Sequence, residues 1–216
     1  MRQAPLTTEY HRKANALSPP WGTQLLSKRP EQYAPHLWPS HFSKAKGCEV
    51  WDLDNNKYLD FSQMSVGTCI LGYADPEVNQ AVSQCISDGN ISTLNPPEEV
   101  DLAEKLIALH PWAGGARFAR GGGEAMALVS RVARAATGRS VIAVCGYHGW
   151  QDWYLAANLN STSQLDRHLL AGLEARGVPA ELNGTLKVFH YNQIEELESI
   201  VEQHGSNLAA ICMEPM

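Results

Sequence analysis

A chain of 216 residues with 44% hydrophobic and 19% charged side chains is too apolar and too lightly charged for a disordered protein. Its apolar runs, such as Val141–Cys145 and Leu208–Met213, fall far short of the ~20 residues a membrane span needs, and Met1–Pro20 holds no apolar core of a signal peptide. The net charge is -6, but residues 1–50 carry 7 basic and 3 acidic side chains without a dense Lys/Arg run, which argues against nucleic acid as a partner.

In chain order, residues 1–45 read as an N-terminal arm. Pro19, Pro20, Pro30, Pro35 and Pro39 argue against a long helix there and for an extended course. Trp21, Tyr33, Trp38 and Phe42 would then need apolar surface to bury against. Residues 46–74 read as a β-hairpin region, with strands at Cys48–Asp54 and Lys57–Phe61 around Asp54-Asn55-Asn56, residues that tolerate positive φ. From residue 75 to 216 the pattern turns regular. Asp75-Pro76 starts a helix, with Asp as cap and Pro at the first position. Val78, Ala81, Val82, Cys85 and Ile86 recur at helical spacing, and Gly89 closes the element. A second helix follows Asn95, with Glu98, Glu99 and Asp101 at the positive end of its dipole. Ala116–Ala119 is predicted as a short strand, Gly121–Gly123 as a loop and Glu124–Ala136 as a helix ended by Gly138. Val141–Cys145 is a β-branched strand buried on both faces. Residues 155–185 read as a surface excursion. Leu186–His190, Ile194–Gln203 and Leu208–Met213 give strand, helix, strand. Such alternation predicts an α/β fold with a mostly parallel sheet flanked by helices.

The five cysteines, Cys48, Cys69, Cys85, Cys145 and Cys212, are odd in number and widely spaced. They form no C-x-x-C and suit a reducing, cytoplasmic setting. The eight histidines include no H-x-x-x-H pair, so no metal site is expected.

Ligands of open α/β sheets bind beyond the carboxyl ends of the strands. Three such ends stand out. After Phe118-Ala119 comes Arg120-Gly121-Gly122-Gly123-Glu124-Ala125. After Cys145 comes Gly146-Tyr147-His148-Gly149-Trp150. After Met213 comes Glu214-Pro215. The triple glycine opens a helix, where free N–H groups and the dipole suit a phosphate; it also reads as a plain strand-to-helix turn. It is neither a Walker A loop nor G-x-G-x-x-G. Tyr147 and His148 read either as a packed pair or as a stacking platform for a planar ligand, and the flanking glycines favour the second. Trp150 and Trp153 read as packing residues. Glu214, directly after a buried strand, reads as a site carboxylate.

Together these residues resemble the class III, or omega-type, pyridoxal-phosphate (PLP) aminotransferases, and within them the glutamate-1-semialdehyde 2,1-aminomutase-like proteins. The resemblance runs from about Phe42 to the end. It rests on Gly47–Asp54, Tyr58–Phe61, Leu71-Gly72-Tyr73, Arg117–Ala125, Gly146–Gly149 and Met213-Glu214-Pro215. It implies a fold type I PLP-dependent transferase, a homodimer, and an amine, amino-acid or semialdehyde substrate. It implies that Gly121, Gly122 and Gly123 line the phosphate, that Gly122 and Gly123 donate backbone N–H groups to it, and that Tyr147 stacks on the pyridine ring with His148 adjacent. Glu214 is implied near the cofactor, on the substrate side, and Ser65, Val66 and Gly67 along the substrate approach. One departure is plain: the family usually carries a Ser or Thr hydroxyl in this loop, where this chain has three glycines.

The chemistry also needs a Schiff-base lysine and an acid at the pyridinium nitrogen. The resemblance implies both after the Glu-Pro motif. None of Lys13, Lys28, Lys44, Lys46, Lys57, Lys105 and Lys187 stands in the matching context. The expectation is therefore the N-terminal half of a longer enzyme, with no catalytic lysine within these 216 residues and no turnover by this chain alone. The competing reading is a truncated or degenerate, non-catalytic protein that binds phosphate compounds weakly or only packs against a partner.

Overall fold

The computed structural model describes residues 4–18, 22–34, 37–62, 64, 67–161, 163–168 and 174–215. The chain divides into two compact units, Met1–Pro96 and Pro97–Met216.

The first unit opens with helix α1 (Pro5–Leu17). This corrects the expectation of an extended arm. The prolines behind that expectation all follow Leu17 in the sequence, whereas Pro5 occupies the helix start, where its missing N–H has no intrahelical partner to lose. The helix has no cap of its own and no acidic residue in its first turn. Asp54 supplies both from outside: its two carboxylate oxygens accept the N–H groups of Leu6 and Thr7, each at 2.9 Å. Further along the arm, Tyr33 and Trp38 stack on each other with centroids 4.3 Å apart. Phe42 stays exposed, and Trp21 lies outside the described residues.

Three antiparallel strands follow in the order β1 (Phe42–Lys46), β2 (Glu49–Asp52) and β3 (Lys57–Leu59). The predicted hairpin is β2–β3; β1 is an added strand that begins within the predicted arm. Asn55 takes φ 61° in the turn. Buried Asp52 staples that turn, accepting the N–H groups of Asp54 and Asn56, the Asn56 amide and the Tyr58 hydroxyl at 2.8–3.0 Å. Helix α2 (Pro76–Asp88) begins as expected, with Asp75 accepting from the N–H groups of Glu77 and Val78, and it ends at Gly89.

The second unit contains α3 (Glu98–Leu109), α4 (Gly122–Thr137), β4 (Val141–Cys145), α5 (Asp152–Leu155), β5 (Leu186–Val188), α6 (Ile194–His204) and β6 (Leu208–Met213). The strands form a parallel sheet in the order β5-β4-β6. All of β4 is buried, so its uninterrupted apolar run is the one a two-faced parallel strand requires. One face of the sheet packs Ile142 and Val144 with Trp153, Tyr154, Leu165 and Leu186. The other packs Ala143 and Cys145 with Phe189, Leu197, Ile200 and Leu208.

Two expectations fail here. Ala116–Ala119 is not a strand: it has no ladder partner among the described residues, and a lone extended segment is not stable as a strand. The stretch 155–185 is not merely a surface excursion, since Ala156, Ala157 and Leu165 enter the core. Among the described residues no helix is long and apolar enough to cross a membrane.

Candidate active site

Because β4 and β6 are parallel, their carboxyl ends lie at one edge of the sheet. The ladder runs one bond past β6, with the Glu214 N–H donating to the Cys145 carbonyl at 3.0 Å. That bond sets the Glu214 side chain beside the turn leaving β4. Its Oε2 accepts the Tyr147 N–H at 3.0 Å. Gly146 has φ 91°, and a Cβ there would lie 2.5 Å from Glu214 Oε2. Only glycine lets the carboxylate close on the turn.

His148 is buried and turned inward, its Nε2–H donating to the Cys145 carbonyl at 2.9 Å. It holds the turn and offers that nitrogen to no ligand. Tyr147 remains 37% exposed, with its ring braced in edge-on contacts by Trp150 and Tyr154, at centroid distances of 5.9 and 6.2 Å. Burial, then the Glu214 charge, holds the Tyr147 phenol above its ordinary value, which keeps it neutral and a hydrogen-bond donor. The Cys145 thiol is pushed up first by burial, then by Glu214 and Glu196, so it is a packed thiol and not a nucleophile.

The same turn reaches the glycine loop. Gly149 has φ 106°, and a Cβ on it would lie 2.7 Å from the Gly123 Cα. Helix α4 starts behind Gly121, which has extended backbone and gives no side-chain cap. The N–H groups of the first turn have no intrahelical acceptor. Glu124 folds back to accept the Arg120 N–H at 3.2 Å instead of covering the helix end.

The structure thus brings Gly121, Gly122 and Gly123 beside the turn that carries Tyr147, with Glu214 against that turn. It places His148 beneath the turn. Ser65 and Val66 lie outside the described residues, and Gly67 belongs to the first unit, in a turn with φ 75°. Sequence reasoning missed two residues. Tyr154 is fully buried and its hydroxyl donates to the Gly146 carbonyl at 2.8 Å; nothing in the spacing announces a side chain reaching back eight residues. Gln151 lies against both Gly123 and Gly149, and its only sequence signal is its position two residues after Gly149. A separate groove of about 770 Å³, lined by Asp166, Arg167, His190 and Glu196 among others, contains none of the predicted site residues.

The chain belongs to the aminotransferase class-III family, whose model matches residues 32–216. It is 35% identical over 179 residues to a 2'-deamino-2'-hydroxyneamine transaminase of Streptomyces kanamyceticus, covering 82% of this chain and 41% of that protein. It is 34% identical over 181 residues to a glutamate-1-semialdehyde 2,1-aminomutase of Anaeromyxobacter dehalogenans, covering 82% and 40%. A solved structure of a transaminase with PLP bound superposes with a TM-score of 0.81 at 25% identity, covering 100% of this chain and 48% of that one. Class III aminotransferases are PLP dependent. The chain spans about 40% of the length of these curated relatives, and its fold is that of the N-terminal part of a fold type I transferase.

Proposed function

We propose that this chain supplies the phosphate-binding and ring-stacking side of the active site of a PLP-dependent aminotransferase or 2,1-aminomutase. The observation that carries the reading is the convergence of three features: the uncapped glycine start of α4, the half-exposed Tyr147 ring, and a Glu214 carboxylate tied to the Tyr147 backbone. The residues fit the cofactor. Gly122 and Gly123 offer N–H groups for a phosphate, with no Cβ in the way. The Tyr147 ring offers a braced aromatic face to a pyridine. The cofactor, when bound, acts as an electron sink for carbanionic character at the carbon bearing the amino group.

The remaining work falls to the chain. Glu214 Oε2 is committed to Tyr147, while Oε1 has no hydrogen bond among the described residues; it is the acceptor we assign to a substrate ammonium. His148 keeps the turn rigid through Cys145. Along the sequence, we assign 1–45 to an arm, 46–74 (with Ser65, Val66 and Gly67) to the substrate approach, and 75–216 to the cofactor side. The substrate is an amine, an amino acid or a semialdehyde. The whole protein works as a homodimer in the cytoplasm, in keeping with five free cysteines.

No lysine is among the hydrogen-bond partners of Tyr147, His148 or Glu214 in the described residues. This favours a second statement: the 216-residue chain binds the phosphate compound without turning over. The test is to incubate the purified chain with PLP and an amine donor, reduce with borohydride and map adducts by mass spectrometry. The expected result is no transamination and no adduct specific to one lysine. Measurable transamination by the chain alone overturns the inactivity. Binding of PLP no tighter than that of pyridoxal overturns the cofactor reading.

A further inference from the structure

The start of α4 carries no side-chain hydroxyl, because positions 121–123 are all glycine. A side-chain donor lies over it all the same. A Cβ on Gly123 would lie 2.6 Å from both Nε2 and Oε1 of Gln151 and 3.0 Å from its carboxamide carbon. The carboxamide therefore rests on the glycine backbone, in space that any other residue at 123 would fill. Its Oε1 accepts the Trp150 N–H at 3.1 Å. That bond distinguishes the oxygen from the nitrogen and restrains the amide. The Nε2–H groups have no acceptor among the described residues, and the neighbouring acid, Glu124, is occupied by Arg120.

We propose that Gln151 is a phosphate-positioning residue of this chain, its Nε2–H donating to the cofactor phosphate beside the backbone N–H groups of Gly122 and Gly123. The inference rests on the PLP reading given above. Three features support it. The amide is neutral, so no counter-ion competes for it. Its oxygen is already anchored, so little rotamer entropy is left to lose on binding. A hydrogen bond to a charged acceptor is stronger than one between neutral groups. Gly123 and Gly149 are then glycines for two reasons: close approach of the loops to each other, and room for the carboxamide between them.

The experiment compares the wild-type chain with Gln151→Ala and Gln151→Met, the latter keeping side-chain length while removing the donor. The probes are pyridoxamine 5'-phosphate and pyridoxamine, which form no adducts with surface lysines. Affinities are read from tryptophan fluorescence quenching and equilibrium dialysis, and circular dichroism checks the fold. The expected result is a loss of ~10–100-fold in affinity for the phosphorylated probe in both variants, with pyridoxamine affinity unchanged. A wild-type phosphate preference that both variants retain overturns the role of Gln151 and leaves the cofactor reading standing. Equal losses for the two probes also overturn it, because they mark a merely structural side chain. A wild-type chain with no preference for the phosphorylated probe overturns both.

Discussion

The Tyr147 N–H donates to Glu214 Oε2 at 3.0 Å, joining residues 67 apart in sequence across the carboxyl ends of β4 and β6. The same carboxylate contributes, after burial, to the raised pKa values of Tyr147 and Tyr154. Glu214→Gln keeps the acceptor and removes the charge. The Tyr147 phenol is expected to titrate at lower pH in this variant while staying above its ordinary value, since burial is the larger cause. Ultraviolet titration of tyrosinate absorbance, with Tyr147→Phe as control, checks this. Glu214→Ala also strands the Tyr147 N–H and is expected to lower stability by about 1 kcal/mol.

The glycines divide by what surrounds them. Gly149→Ala places a Cβ 2.7 Å from the Gly123 Cα at φ 106°, and is expected to destabilise the second unit by about 2–3 kcal/mol. At Gly122 a Cβ meets nothing within 4 Å, and the residue opens a helix. Gly122→Ala is therefore expected to be neutral or stabilising by up to about 0.5 kcal/mol. Urea titrations should show a lowered midpoint for Gly149→Ala and an unchanged or raised one for Gly122→Ala.

Tyr154→Phe removes the hydroxyl that donates to the Gly146 carbonyl and keeps the buried ring. A loss of about 1 kcal/mol is expected. The turn should also loosen, seen as faster hydrogen exchange at the Tyr147 and His148 amides.

In the first unit, burial pushes the carboxyl groups of Asp52 and Asp54 up, but hydrogen bonds outweigh it. Asn56 and Tyr58 pull Asp52 below the usual carboxylate range, and the Thr7 and Leu6 N–H groups do the same for Asp54. A depressed folded-state value means stability that is complete above the unfolded pKa, ~3.9, and is lost as pH falls through the folded values beneath it. Acid titration followed by far-ultraviolet circular dichroism should show α1 and the β1–β3 sheet failing below about pH 4. Asp52→Asn should flatten that limb, and Asp54→Ala should cost α1 helicity already at neutral pH.

The elements most legible in the sequence were those whose signal is local. Asp75-Pro76, Gly89 and Gly138 marked helix ends through their own backbone preferences, and the β-branched run of β4 announced burial on both faces. Helix α1 was missed because the prolines that argue against a helix all follow Leu17, and because its cap, Asp54, is distant in sequence. The strand expected at Ala116–Ala119 failed because strand formation depends on a partner, which local pattern does not supply. At the site, Tyr147 and Glu214 stood out because each follows a strand, and Gly121–Gly123 because a run of glycines opens a helix. His148 looked like part of the ligand surface, yet its direction is set by the Cys145 carbonyl. Gln151 was invisible because its importance lies in the space left by two glycines.

The central strand of the parallel sheet has an effect on the order of events during synthesis. Both partners of β4 are made later, β5 at Leu186–Val188 and β6 at Leu208–Met213. Until then Val141–Cys145 is an unpaired apolar segment of high β-propensity, open to wrong pairing with other chains. The turn bearing Tyr147, held locally by His148 and Tyr154, gains its bond to Glu214 only when residue 214 arrives. The nascent chain in that interval is where a chaperone would have most to protect.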